Sequence, residues 1–373
     1  MPKARAKPSQ RAGILPIQDI RALVVSGAIH AERAFAPTQI QPASLDLRLG
    51  DVAYRVRASF LPGGPGGRTN VMDRLKELSL HKIDLSSGAV LETGCVYVVP
   101  LQERLALPAD IAAAANPKSS TGRLDVFTRV IADGVSSFDT IPAGYAGQLY
   151  AEICPQTFPI VVRRGSMLSQ IRFRAGDPVE TDDALEALHK KVTLVRGGAA
   201  ADVRGGIALS VDLVGESKGL IGYRARRHTG LVDVDAPGSC PLADYWEPIV
   251  VGDSQRLILD PDQFYILASK EAVHVPPTHA AEMMPFNPLV GEFRVHYAGF
   301  MDPGFGHAPA GGAGARVVLE VRSHKVPFIL EDGQIIGRLI YERMTAVPSV
   351  LYGTDLGSHY QAQGLKLSKH FRV

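Results

Sequence analysis

Apolar residues in this chain recur mostly with a period of two. In "GQLYAEI" (147–153), Leu149, Ala151 and Ile153 alternate with Gln148, Tyr150 and Glu152, which predicts a strand with one buried and one solvent-facing side. "PIVVRRGSMLSQIRFR" (159–174) reads as two strands around Arg164–Gly165. "QFYILAS" (263–269), "ARVVLEV" (315–321) and "KVPFILEDGQIIGRLIYERM" (325–344) repeat the theme. Helical signals are confined to "PIQDIRALVVSG" (16–27), "VMDRLKELSLHK" (71–82) and "ETDDALEALHKKV" (180–192). In the last of these Thr181 is the candidate N-cap, Asp182 and Asp183 occupy the first turn, and His189, Lys190 and Lys191 the last. The class is mainly β, a sandwich or distorted barrel with a few short helices.

The chain also repeats itself. "VLETGCVYVVPLQERLALP" (90–108) lines up with "ILDPDQFYILASKEAVHVP" (258–276), Tyr97 meeting Tyr265 and Pro108 meeting Pro276 at an offset of 168. The same offset brings Glu152 onto Glu320, Pro159 onto Pro327, Gly165 onto Gly333 and Phe173 onto Tyr341. "SLDL" (44–47) resembles "SVDL" (210–213) at an offset of 166. This predicts two tandem copies of one domain. A basic tail covers 1–12, repeat 1 covers 13–178, a linker with a short helix covers 179–206, and repeat 2 covers 207–373.

Composition narrows the partners. Hydrophobic residues make up 46% of the 373, enough for a substantial core, and 40 basic residues face 38 acidic ones. That balance argues against a general nucleic-acid or membrane-surface binder. The N-terminus has no apolar signal core, and no apolar window is long enough to span a bilayer. Cys95, Cys154 and Cys240 are odd in number and widely spaced, which suits a reducing cytoplasm better than a disulfide framework.

The densest candidate chemistry is "NPKSSTGRLD" (116–125), where Lys118, Ser119, Ser120, Thr121, Gly122 and Arg123 crowd cations, hydroxyls and a glycine together. Such donors suit phosphate oxygens, although the order is not that of a P-loop. The corresponding stretch of repeat 2, "MMPFNPLVGEFRV" (283–295), lacks the Ser-Ser pair and the cationic spacing. A motif needed for folding should be in both copies, so its presence in one favours binding. Glu152 and Glu320 sit at the same point of their repeats, and either could shuttle protons if burial and a cation tune it. "HAE" (30–32) and "THAAE" (278–282) are not zinc motifs, because no P-C-x-x-C partner or H-E-x-x-H order accompanies them. Trp246 reads as packing, and "YGTDLGSHYQAQGLKLSKHF" (352–371) as a tail able to close over a ligand.

These motifs, in this order, resemble the dCTP deaminases of the dUTPase-like superfamily. The likeness rests on "QPASLDLRLGD" (41–51), "KSSTGRL" (118–124), "GQLYAEI" (147–153), "GFMDPGFG" (299–306) and "YGTDLGSHYQAQG" (352–364). It implies two tandem distorted β-barrel, or β-clip, domains whose sites form between neighbouring domains, and a homo-oligomer in the cytoplasm. It also implies zinc-independent hydrolysis of a small-molecule nucleotide, dCTP to dUTP and ammonia, with Mg²⁺ bound through the triphosphate and with dUTP and dTTP as related ligands. Carried over by motif, Glu152 is the proton shuttle with Ser119 and Arg123 beside it, and Lys118 and Ser120 address phosphates. Tyr352 and Gln363 contact the nucleotide, His359 occupies a family lysine position, Asp302 lies near the sugar or base, and Glu320 joins the nucleotide-binding set. Lys118 itself departs from the usual arginine.

Repeat 1 has the phosphate motif but "FDTIPAGYAG" (138–147) in place of the Asp-Pro-Gly turn, whereas repeat 2 has the turn, Glu320 and the tail without the motif. The expectation is a composite site: "KSSTGR" and Glu152 from repeat 1, the closing segment and Asp302 from repeat 2. The sequence leaves open which of Glu152 and Glu320 reacts. It also leaves two other readings, a dUTP diphosphatase or bifunctional enzyme and a non-catalytic nucleotide sensor.

Overall fold

A computed structural model describes residues 12–64, 67–68, 70–197, 202–215, 219–250, 255–284, 293–296, 299–307, 314–323, 325–353 and 364–372. Its sheets display the duplication directly. In repeat 1 one sheet has the spatial order Val126–Ala132, Ala146–Pro155, Val96–Ala106, Val52–Val56, Ser79–Asp84. In repeat 2 the order is Phe293–His296, Ala315–Ser323, Phe264–Val273, Leu220–Ala225, Trp246–Val250, the same strands in the same sequence. Even single hydrogen bonds recur: the Tyr97 hydroxyl accepts from the Glu92 backbone N–H at 3.0 Å, and the Tyr265 hydroxyl from that of Asp260 at 3.0 Å.

Register corrects one part of the repeat. Leu45 pairs with Ile171 and Ile207 with Leu339, so this strand is offset by 162, not 166. Strand Leu45–Arg48 therefore corresponds to Ile207–Ser210, and "SVDL" (210–213) is not the copy of "SLDL". Both strands carry a register shift at the same place, and both donate a backbone N–H at 2.8 Å to a buried glutamate: Arg48 to Glu103 and Ser210 to Glu271. The likeness of letters matched Ser, Asp and Leu, whereas the sheet matched the pairing partners. Asp46 consequently has Ala208 as its counterpart.

Two further expectations change. The helix predicted over 71–82 spans Val71–Leu78, and Ser79–Asp84 pairs instead with Val52–Val56 as an edge strand. Strand Ala146–Pro155 has no solvent-facing side over its second half: Tyr150 and Glu152 are as buried as Leu149 and Ala151, because Phe60, Val71 and Leu75 cover the second face. The linker helix Asp182–Lys191 is capped as its sequence predicts, the Thr181 hydroxyl accepting from the Ala184 N–H.

The core of repeat 1 extends into repeat 2, which also has a core of its own. Phe158 of repeat 1 packs edge-on against Tyr245, Trp246 and Phe371 of repeat 2, with centroids 5.5–5.9 Å apart. Trp246 is fully buried. A buried ionic knot also crosses the boundary. Arg172, 2% exposed, donates to Glu342 Oε2 and Asp302 Oδ1, both at 3.1 Å, and to the backbone carbonyls of Ala281 and Met301. Its guanidinium stacks 4.0 Å over the Phe300 ring. All of its partners belong to repeat 2. Replacing Arg172 with Met should strand Asp302 and Glu342 as buried, uncompensated carboxylates. The expected cost is about 3–5 kcal/mol, read as a fall in calorimetric Tm; a Tm within a degree of the parent would show that the knot does not hold the repeats together.

Candidate active site

Strand Ile111–Pro117 runs straight into a single turn, Ser119–Gly122. The Lys118 carbonyl accepts from the N–H groups of Thr121 (2.8 Å) and Gly122 (3.0 Å), and the Ser119 carbonyl from that of Arg123 (3.1 Å). Asp125 then takes a left-handed conformation, φ +57°, which aspartate tolerates better than bulkier residues. This turn sends the chain back along strand Val126–Ala132 and splits the motif. Lys118 and Ser120 line a cavity, while Arg123 and Asp125 reach strand Ala315–Ser323 of repeat 2.

On that strand Glu320 and Arg322 are two residues apart and meet the loop's opposite charges. Arg123 Nε lies 3.9 Å from Glu320 Oε1, and Arg322 Nη2 donates to Asp125 Oδ2 and to Thr157 Oγ1 (2.9 Å). The Thr157 hydroxyl in turn donates to Asp125 at 2.5 Å. Arg123 is 3% and Glu320 6% exposed. Burial pushes the Glu320 carboxyl up to about 8; Arg123 pulls against this and Asp125 adds to it.

Glu152 stands elsewhere. Its Oε1 accepts from the Ser59 hydroxyl at 3.0 Å, its Oε2 is buried without a hydrogen-bond partner, and its neighbour across the sheet is Arg129, itself paired with Asp139 at 2.7 Å. Burial raises its pKa, opposed by Ser59 and Arg129. The expected juxtaposition of Arg123 with Glu152 is thus corrected: the carboxylate that Arg123 pairs with is Glu320. Register explains why. Val126 pairs with Pro155 at the strand's end and Arg129 with Glu152, so Arg123 lies past the strand and beyond its own repeat's glutamate. Ser119, half-buried, opens the same turn as Arg123.

The other half of the motif faces a cavity of ≈ 50 Å³ walled by Lys118, Ser120, Asp235, Lys369 and His370 among others. Lys118 is paired with Asp46, whose own carboxyl is raised by burial despite that cation. Asp46 is close enough to Asp302 to raise it further, on top of burial and against Arg172. Asp302 is therefore within electrostatic reach of the Lys118 end of the motif, but its carboxylate is already held by Arg172. Tyr352 donates its N–H to the Pro303 carbonyl (2.9 Å) and packs its ring 5.9 Å from Phe305. The turn between them needs glycine: Gly304 has φ +101°, and a Cβ there would lie 3.0 Å from the Tyr352 backbone. His359 and Gln363 lie outside the described residues.

The chain's end, expected as part of a closing tail, is fastened to the motif. The Lys366 carbonyl accepts from Arg123 Nη1 (2.9 Å), and the Ser368 hydroxyl donates to the Ser120 carbonyl (2.9 Å). Phe371–Arg372 pairs in parallel with Cys240–Pro241. Asp125, Arg322, Lys366, Ser368 and Lys369 were missed from sequence. Only "LKLSKH" (365–370) carried a signal, its basic residues between apolar ones.

Comparison with known proteins fits this geometry. A family model described as 2'-deoxycytidine 5'-triphosphate deaminase (DCD) N-terminal domain matches residues 11–177, and one described as the C-terminal domain of the same protein matches 181–371. The crystal structure of 2'-deoxycytidine 5'-triphosphate deaminase from Agrobacterium tumefaciens is similar with a TM-score of 0.85 and 62% identity, over 89% of this chain and 99% of that one. The dCTP deaminase, dUMP-forming, of Corynebacterium kroppenstedtii is 29% identical over 194 residues, 50% of this chain and 96% of that protein. The dCTP deaminase of Haloarcula marismortui is 30% identical over 137 residues, 36% of this chain and 66% of that protein.

The raised Glu320 carboxyl has a consequence for stability. Between the ordinary 4.5 and about 8 the folded chain keeps a proton that the unfolded chain has lost, so stability falls as pH rises through that window. The slope approaches about 1.4 kcal/mol per pH unit for this group. Glu320→Gln cannot ionise and should raise Tm over the parent more at pH 8 than at pH 5. Thermal melts of both proteins at the two pH values test this; a gap that does not change with pH would contradict the buried, protonated Glu320.

Proposed function

The chain belongs to the 2'-deoxycytidine 5'-triphosphate deaminase family, and we propose that it hydrolyses dCTP to dUTP and ammonia at the composite site between its repeats. The observation that carries this reading is Glu320, a buried carboxyl lifted to about 8 and paired across the repeat boundary with Arg123 of the "KSSTGR" loop. A group that changes protonation near neutrality passes protons in both directions.

In the proposed reaction Glu320 takes a proton from water as its oxygen attacks C4 of cytosine, and delivers that proton to N3. It then takes the remaining hydroxyl proton and gives it to the amino group as the C4–N bond breaks. The carboxylate is regenerated, and the balance is one water consumed and one ammonia released. Arg123 holds the ionised carboxylate, and Ser119 positions the water. The sequence assignment of this role to Glu152 is thereby moved to its copy.

Lys118 and Ser120 take phosphate oxygens, and Tyr352, His359 and Gln363 close over the nucleotide. Asp302, fixed by Arg172, shapes the wall near the sugar. Mg²⁺ arrives on the triphosphate. The cavity suits that arrangement in that Lys118 and Ser120 line it, while Asp46 is engaged by Lys118 and Asp235 by Arg163 Nη1 (2.8 Å) and Ser166 Oγ (2.6 Å). No zinc takes part in this reading, since the activating base is a carboxyl. Some relatives bear the name dUMP-forming; that outcome adds cleavage at phosphorus and releases pyrophosphate.

The test is a product assay on dCTP with Mg²⁺ that reads ammonia and pyrophosphate together. Glu320→Gln should lower kcat by about 10²–10⁴-fold, while Glu152→Gln keeps the parental rate. Folded Glu320→Gln turning over at the parental rate would sink the assignment. Loss in Glu152→Gln instead would return the role to repeat 1, and pyrophosphate in step with ammonia would make the product dUMP.

A further inference from the structure

Asp125 is a buried carboxylate that the proposed reaction does not use. It is 1% exposed and stands two residues beyond Arg123. Repeat 1 alone fixes its backbone: its N–H donates to the Gly122 carbonyl, its own carbonyl accepts from the Gln156 N–H, both at 2.9 Å, and φ is +57°. The carboxylate then meets repeat 2. Its Oδ2 accepts from the Thr157 hydroxyl at 2.5 Å and from Arg322 Nη2, and Arg322 Nη2 also donates to Thr157 Oγ1 at 2.9 Å. These three atoms close a triangle of hydrogen bonds across the boundary.

The neighbouring pair is looser. Arg123 Nε stands 3.9 Å from Glu320 Oε1, beyond hydrogen-bond reach. Glu320 and Arg322 are two apart on strand Ala315–Ser323 and so share a face. A fixed Arg322 therefore fixes the loop that carries Arg123 relative to Glu320. The duplication separates this role from folding. Register puts Glu152 opposite Val98 and Glu320 opposite Ile266, so the copy of Arg322 is Cys154. The glutamate stands in both repeats, but the arginine only in the one that faces the loop.

We propose that Arg322 is a positioning residue for the reaction, locking the Lys118–Asp125 loop through Asp125 and Thr157 so that Arg123 meets the Glu320 carboxyl at one place. The proposal rests on the reading that Glu320 reacts. Electrostatics point the same way. Among the described residues, the charged groups about Glu320 are Arg123 and Asp125 from the loop and Arg322 on its own strand, and its register partners are Ile266 and His296. Asp125 adds to the upward push on the Glu320 carboxyl, and Arg322 offsets the charge of Asp125. Removing Arg322 strengthens that push; removing Asp125 as well abolishes it.

Three variants test this, Arg322→Met, Arg322→Lys and the double change Asp125→Asn with Arg322→Met, with Glu320→Gln alongside. Asparagine tolerates the left-handed backbone at position 125. Arg322→Met should lower kcat for ammonia release from dCTP by about 10- to 100-fold, the size of a misplaced reacting group, and leave KM less changed. Its Tm should fall, because the buried Asp125 loses the Arg322 cation. The double variant has no carboxylate at position 125, so its Tm should return towards the parent while kcat stays low. The low-pH limb of kcat, where Glu320 gains its proton, should move to higher pH in Arg322→Met and to lower pH in the double variant. Arg322→Lys should recover part of kcat. Recovery of kcat together with Tm in the double variant would show a purely structural pair and overturn the proposal. So would a parental kcat and pH limb in folded Arg322→Met. If Arg322→Met does not fold, the double variant decides by the same two readings. A slow Glu320→Gln beside a parental Arg322→Met would remove the clamp alone, whereas Glu320→Gln at the parental rate would overturn the Glu320 reading itself.

Discussion

Two crossed charge pairs set the geometry of this protein. Arg123 and Asp125 on a loop of repeat 1 meet Glu320 and Arg322 on a strand of repeat 2, with the signs alternating on both sides. Each element presents its two charges at a spacing of two residues, so a slip by one pair would set like against like. Buried ion pairs of this sort add little net stability, because desolvation offsets their attraction. The joint is held instead by apolar contact, Phe158 among Tyr245, Trp246 and Phe371. The charges fix register, and through register they place a carboxyl where its proton is neither firmly held nor firmly lost.

The same sheet order recurs in both repeats, and the differences between them concentrate at their boundary. Glu103 and Glu271 do the same structural work in each repeat, as do Tyr97 and Tyr265. Asp46 faces Lys118 where repeat 2 has Ala208, and Arg172 bridges the repeats where the offset puts Ile340. Glu152 and Glu320 illustrate the outcome best. Both are buried glutamates at equivalent points of equivalent strands, yet one is answered by a hydroxyl of its own repeat and the other by a guanidinium of its neighbour. The copy that does not meet Arg123 keeps its glutamate in a different setting.

The C-terminal strap ties these parts together. It crosses from repeat 2 to the "KSSTGR" loop, bonds to Arg123 and Ser120, and returns to pair with Cys240–Pro241. Arg123 is therefore held between Glu320 and Lys366, so that the buried Glu320 carboxyl and the C-terminal strap share one guanidinium.

Much of the architecture was legible because it is local. Alternation set the strands, Thr181 marked its helix, and the 168-residue offset announced the duplication, since periodicity and capping act over a few residues and leave their mark in the letters. The Lys118–Arg123 turn was legible for the same reason, being closed by its own backbone. The sequence determined which residues could do the chemistry, Glu152 and Glu320 among them. Only the tertiary structure decided which glutamate meets Arg123, that Arg172 and not solvent answers Asp302, and that Lys369 reaches the cavity of Lys118. Those pairings join residues some 130 to 250 positions apart, across a boundary whose register depends on every strand packed behind it.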